Sequence, residues 1–108
     1  MEIHRTADHG TWTVLVLEGR IDHEAAPSLE SACRAELAVP GCSLALDLSS
    51  VTYLSSAGLR ALLAVAKDLG PAHARIALVA TRPFVREVLE LSGLGRFLPQ
   101  VSSIDELG

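Results

Sequence analysis

The densest grouping of reactive side chains in this sequence is Tyr53-Leu54-Ser55-Ser56-Ala57-Gly58-Leu59, where two adjacent hydroxyls precede a small residue and a glycine. The apolar spacing that follows is helical, so these hydroxyls sit at a helix start, where several backbone N–H groups lack intrahelical acceptors. Ser56 has two readings there. It can be an N-cap, with Gly58 serving only close packing, or a hydroxyl presented for modification at a helix end that favours anions. A hydrolase nucleophile is a poor third, because the nucleophile elbow needs Gly-x-Ser-x-Gly plus a base and an orienting acid, whereas residues 54–58 read Leu-Ser-Ser-Ala-Gly.

Other side chains offer less. Asp22-His23 has the composition of an acid–base pair but no third partner, and Asp22 fits better as a strand-to-helix corner, capping the entry at Ala25 and Ala26 or facing a partner. His4, His9 and His73 are dispersed, without HExxH or equivalent spacing, and read as solvated surface residues. Cys33 and Cys42 lie nine positions apart, lack CxxC spacing, and read as ordinary core thiols. No catalytic residue, metal ligand or cofactor is therefore assigned.

The composition narrows the classes of partner. With two Phe, one Trp and one Tyr, the chain is poorly equipped to stack nucleobases. Its formal net charge of −4, with Lys and Arg scattered, gives no footprint for nucleic acid or anionic lipid. No apolar run approaches the roughly 20 residues of a bilayer span, and Met1-Glu2-Ile3-His4-Arg5 does not resemble a signal peptide, which points to a cytoplasmic protein without membrane insertion. A protein partner fits this surface better.

The elements that must position the serines follow from periodicity. Thr13–Ile21 reads as a strand preceded by a shorter one over Ile3–Ala7, an opening β-hairpin. Ala25, Leu29, Ala32, Cys33 and Leu37 make one helical face, stopped by Pro40-Gly41. Ser43–Leu48 reads as a strand buried on both faces, with Ser49-Ser50 turning the chain into a linker, Val51–Ala57. Leu59, Leu62, Leu63 and Ala66 give a second helix ending at Gly70-Pro71, and Arg75–Ala80 another buried strand. Thr81 and Pro83 open a third helix with the face Phe84, Val88 and Leu91 and a stop at Gly93. A short edge strand near Phe97-Leu98, broken by Pro99, and a helical turn over Ser103–Leu107 complete the chain. The order predicts one α/β domain over residues 1–108, a mixed β-sheet with the opening β-hairpin and helices packed against it. In such sheets partner surfaces lie where loops leave the carboxyl ends of strands.

The stretch from Asp47 to Leu63, DLSSVTYLSSAGLRALL, resembles the signature of the STAS domain, the sulfate transporter and anti-sigma factor antagonist family. Gly19-Arg20-Ile21-Asp22 with Ala26-Pro27-Ser28-Leu29 is similar to that family's strand-to-helix corner, and Ser92-Gly93-Leu94 to its third helix end. The resemblance covers essentially the whole chain and implies a STAS-like fold. It also implies a bacterial anti-sigma factor antagonist that works by partner switching in transcription regulation. The unmodified form binds an anti-sigma factor with serine kinase activity and releases the sigma factor. Phosphorylation of Ser56 ends binding, and a metal-dependent, PP2C-type phosphatase reverses it. Ser55 stands where the family often has Asp, which removes a charge that a kinase's basic groups could recognise. The partner surface implied is Asp22, His23, Ser55, Ser56, Ala57, Gly58 and Leu59. The alternative is a non-phosphorylated STAS subunit of a lipid-transport or stress-signalling complex.

Overall fold

A computed structural model describes residues 1–69, 75–93 and 98–107. Five strands, β1 (Glu2–Arg5), β2 (Trp12–Ile21), β3 (Ser43–Leu54), β4 (Arg75–Val79) and β5 (Gln100–Val101), form one sheet in the order β1-β2-β3-β4-β5. The β1–β2 hairpin is antiparallel, pairing Glu2 with Glu18 and Arg5 with Leu15, and every other pairing is parallel. Helices α1 (Ala26–Leu37), α2 (Ser56–Leu69) and α3 (Pro83–Ser92) connect the parallel strands, and a 3₁₀ turn covers Ile104–Leu107. The mixed sheet and the hairpin are those the sequence predicts.

All three helices lie on one face. Leu29 and Cys33 of α1, Leu62 and Val65 of α2, and Val85 and Leu89 of α3 join Leu44, Leu46, Leu48, Val51 and Leu54 of β3 in a single aliphatic core. The opposite face carries a smaller cluster of Trp12, Val14, Ala45, Ala77 and Val79, against which Ile104 and Leu107 pack. The buried Trp12 indole Nε1 donates to the Leu107 carbonyl at 3.3 Å, satisfying its one polar group and tying the 3₁₀ turn to this face.

Four expectations require correction. Ser49-Ser50 is not a turn, because β3 runs on to Leu54 and Val51–Ala57 is not a linker: only Ser55 separates strand from helix. The long neighbour β2 keeps pairing it, and the ten residues of β2 meet twelve of β3, with register irregularities after Val16 and Gly19. The small serines are absorbed at the first of these, where the Asp47 Oδ1 accepts from the Ser49 N–H at 2.9 Å and replaces a ladder bond. Second, α3 buries Val85 and Leu89, while Phe84 and Leu91 are exposed. Val85, Val88 and Leu89 form an equally good i, i+3, i+4 stripe, and docking on the core selects it. Third, the last strand is Gln100–Val101, after Pro99 rather than before it; Leu98 is buried and Phe97 lies outside the described residues. The Pro99 carbonyl accepts from the Leu78 N–H at 2.9 Å, a bond that does not need the missing proline donor.

Fourth, the Ser56 side chain is not the cap of α2: the Ser55 Oγ accepts from the Gly58 N–H instead. The other boundaries agree with the sequence within a few residues. Pro27 and Pro83 occupy the first turns of α1 and α3, and Gly93 closes α3 in the left-handed region at φ 76°. The predicted stop of α2 at Gly70-Pro71 lies outside the described residues. Cys33 is buried and Cys42 half-buried, both free thiols. Among the described residues no helix is long and apolar enough to cross a membrane.

Candidate functional site

The chain leaves β2, β3 and β4 in the same direction; the ends of β2 and β3 are level, Ile21 pairing with Leu54, so the turns after them form a common rim, while β4 ends earlier, its Val79 paired with Asp47. The central turn is a single residue. Ser55 donates its N–H to the Ile21 carbonyl at 2.8 Å, prolonging the β2–β3 ladder by one bond. Its carbonyl accepts from the Leu59 N–H at 2.9 Å, and its Oγ accepts from the Gly58 N–H at 3.1 Å. Ser55 is therefore the N-cap of α2, bonding to the third helical residue as capping serines do.

That arrangement frees its neighbour. Ser56 is the first residue of α2, its side chain is exposed, and no described residue hydrogen-bonds its hydroxyl. The exposed Arg60 guanidinium, one turn along the helix, has no carboxylate in ion-pair range among the described residues. Gly58 is buried beneath the strand ends: a Cβ there would stand 2.6 Å from Ile21 Cγ2, 2.9 Å from Leu54 Cδ1 and 3.2 Å from the Ile21 carbonyl oxygen. Leu59 is half-buried against the core. Of the predicted surface residues, Gly58 and Leu59 therefore seat the helix, whereas Ser56 faces outward.

The neighbouring turn is held by Asp22. Its Oδ1 accepts from the Ala25 N–H at 2.9 Å and its carbonyl from the Ala26 N–H at 3.1 Å. The Ala25 bond, more than any other influence, holds the Asp22 carboxyl below its ordinary value. Ala25 makes no side-chain cap bond, so Asp22 satisfies the helix entry from three residues upstream. The exposed His23 and the half-buried Ala57 line the same open groove of about 540 Å³ between α1 and α2, floored by Ala26, Ala61 and Ala64. The Asp22-His23 turn and the Ser55-Ser56-Ala57 corner are thus brought together, joined through Ile21.

The third turn enters α3 through Ala80, whose φ of 57° is the single left-handed non-glycine value among the described residues. Beyond it, Arg82 Nε donates to the Ser49 carbonyl at 2.7 Å, and Phe84 stacks on Tyr53 with ring centroids 6.1 Å apart. The Arg20 guanidinium lies 4.2 Å above the other partner of that stack, Tyr53, its cross-strand neighbour. Sequence reasoning misses this group because the register that makes Arg20 and Tyr53 neighbours depends on the two extra residues in β3. Charged side chains elsewhere form exposed pairs such as Arg34 with Glu30 and Asp68, which contribute little to stability.

With this geometry in view, comparison with known proteins is informative. Residues 4–100 match the family model described as Mlab, STAS domain. BtrV of Bordetella bronchiseptica, named for anti-sigma factor antagonism, is 36% identical over 90 residues, covering 83% of this chain and 78% of that protein. The anti-sigma-F factor antagonist RsfB of Mycobacterium tuberculosis is 32% identical over 100 residues, covering 93% and 81%. The crystal structure of an anti-sigma factor antagonist from Mycobacterium paratuberculosis superposes with a TM-score of 0.82 at 34% identity, covering 97% of this chain and 90% of the other. These relatives are regulatory binding proteins, and this chain belongs with them to the STAS domain family.

Proposed function

We propose that this chain is a cytoplasmic anti-sigma factor antagonist controlled at Ser56. The unmodified protein binds an anti-sigma factor with serine kinase activity through the rim formed by Asp22, His23 and the Ser55–Leu59 corner, and the sigma factor is released. Phosphorylation of Ser56 ends the complex and a PP2C-type phosphatase restores it. The observation that carries this reading is the division of labour between the two serines: Ser55 satisfies the helix end, which leaves Ser56 exposed, its hydroxyl without a hydrogen-bond partner among the described residues.

The same geometry says how a phosphate would act. It adds about −1.5 to −2 charges, which the N-terminus of α2 accommodates through its dipole and unpaired N–H groups. Arg60, at i+4 from Ser56 and without a carboxylate partner among the described residues, offers a further countercharge. The fold therefore tolerates the modification, and the effect falls on the docked partner, against which a phosphate must be desolvated or meet a contour shaped for a hydroxyl. Loss of several tenfold steps in affinity, each worth about 1.4 kcal/mol, is the scale expected.

The test combines two measurements. The chain is incubated with ATP and the histidine-kinase-like anti-sigma factors of its own genome, and any phosphate is located by mass spectrometry. Unmodified and phosphorylated forms are then compared by calorimetric binding to the factor that modified them. Phosphate on Ser56 with lost affinity is the expected result; phosphate on another residue, or equal affinity of the two forms, refutes the switch. A second reading, an unmodified STAS subunit of a lipid-transport or stress-signalling complex, draws on Ser55 in place of the family's Asp and on the Mlab-named family model. It predicts no phosphate at all and stable association with transporter or stress-complex subunits.

A further inference from the structure

The described surface carries three large exposed apolar side chains, Val39, Phe84 and Leu91, and Phe84 alone among them is built into an ordered group. Phe84 stacks on Tyr53 at 6.1 Å with an interplanar angle of 20°, and Arg20 covers the Tyr53 ring at 4.2 Å. Arg82, two residues before Phe84 in the chain, donates its Nε–H at 2.7 Å to the carbonyl of Ser49, four residues before Tyr53 on β3. Four residues from β2, β3 and the α3 entry thus make one arginine–aromatic strip that runs along the second half of β3, from Ser49 to Tyr53.

Two features of this strip are turned to solvent. Phe84 remains half exposed, at 50%, although α3 is already anchored by Val85 and Leu89. Arg20 and Arg82 are exposed and neither has a carboxylate within ion-pair distance among the described residues, although the chain carries 13 acidic residues against nine Lys and Arg. The nearest carboxylate along β3, Asp47, has one oxygen engaged by the Ser49 N–H. An acidic protein with two exposed arginines along one strand, neither ion-paired among the described residues, presents charge complementarity to an acidic ligand. The strip is also rigid before anything binds, because stacking, the cation–π contact and the Arg82 bond each fix a side chain. Such preorganised Tyr and Arg groups are the kind that dominate protein interfaces.

We propose that Arg20, Tyr53, Arg82 and Phe84 form a docking strip for an acidic segment of a protein partner that bears an aromatic side chain. The ligand's carboxylates pair with Arg20 and Arg82, and its ring packs on the exposed face of Phe84. Nucleic acid, which also combines negative charge with flat rings, is disfavoured by the chain's overall charge of −4. This strip does not depend on Ser56 being modified.

The experiment is an NMR titration of the isotopically labelled full chain with synthetic dodecapeptides. One peptide is Glu/Asp-rich with a central Trp, a second has that Trp replaced by Ala, and a third has Lys in place of every acid; oligouridine is the nucleic-acid arm. Amides of residues 19–21, 49–54 and 80–85 are expected to shift with the first peptide. Its affinity should exceed that for either altered peptide by about tenfold, the effect of one interface anchor, and should fall with added salt. Arg20→Glu and Phe84→Ser, each verified by an unchanged melting transition, should each lower affinity by about tenfold. Shifts centred elsewhere, equal binding of the Lys peptide, tighter binding of oligouridine, or unaltered affinity in both variants each overturn the proposal. The phosphorylation assay on Ser56 is a separate readout, so either idea can fail without the other.

Discussion

Replacing Gly58 by Ala should destabilise the protein even though alanine is the better helix former. The added Cβ meets Ile21 Cγ2 at 2.6 Å and Leu54 Cδ1 at 2.9 Å, well inside the roughly 3.5–4.0 Å of a comfortable carbon contact. Both methyl groups belong to buried side chains at the ends of β2 and β3, and the Ile21 carbonyl at 3.2 Å blocks the remaining direction. Either Ile21 leaves its rotamer or the first turn of α2 lifts away and strains the Ser55-to-Ile21 hydrogen bond. Overpacking of this kind costs about 1–3 kcal/mol, and the helix gains at most about 1 kcal/mol from the exchange of Gly for Ala. With a contact as short as 2.6 Å the cost lies in the upper part of that range, so a net loss of about 1–2 kcal/mol follows, and each kcal/mol corresponds to about 4–8 °C in melting temperature for a domain near this size. Thermal melting and urea titration measure the loss directly. A double-mutant cycle with Ile21→Ala then isolates its cause, because removing the Ile21 methyl makes room for the new Cβ and the pair should be less destabilised than the sum of the singles. An unchanged or raised melting temperature in Gly58→Ala, or strict additivity in the cycle, would refute this account of the helix seat.

Ser55→Ala should cost about 0.5–2 kcal/mol by loss of the cap and Ser55→Asp should retain stability, whereas Ser56→Ala should stay within about 0.5 kcal/mol of the parent in urea titration. The Asp22 carboxyl is depressed by its bond from the Ala25 N–H, so its contribution is present above the ordinary value of 3.8 and disappears as pH falls through the lower folded value. The melting difference between the parent and Asp22→Ala should accordingly be constant near neutrality and close in acid, and a difference that widened in acid would contradict that sign. Burial pushes the Cys33 thiol up to about 12, so a thiol reagent in mildly alkaline buffer should label the half-buried Cys42 first and reach Cys33 only on unfolding.

What could be read from the sequence was whatever rests on local pattern. Leu44, Leu46 and Leu48 alternate as a buried strand does, Leu59, Leu62 and Ala66 repeat as a helix does, and Pro83 and Gly93 bracket α3 where proline and glycine belong. The errors arose where a distant neighbour decides between local options. Ser49-Ser50 suits a turn until β2 is placed alongside, when the continuing ladder makes a bulge the better use of two small residues. Phe84 and Leu91 suit the buried side of α3 as well as Val85 and Leu89 do, until Tyr53 draws Phe84 to the rim. The cap falls on Ser55 rather than Ser56 because the ladder bond to Ile21 sets where β3 ends. A cap and a presented hydroxyl differ by one residue, and sequence spacing alone does not resolve one residue.

The strand order has a consequence for how the chain is built as well as for how it works. Each strand lies beside the one that precedes it in sequence, and no slot in the sheet waits for a segment from further along the chain. On the ribosome, where residues emerge amino end first, the β1–β2 hairpin provides an edge for β3, the new edge of β3 receives β4, and β4 receives β5. Each strand is delivered with its helix, so every addition covers apolar surface on the same side of the growing sheet. Short loop closures of this kind favour rapid pairing over long-range search. The corner bearing Ser55 and Ser56 is complete once α2 has docked on β2 and β3, before β4 or α3 is required, whereas the Tyr53–Phe84 stack must wait for the last helix.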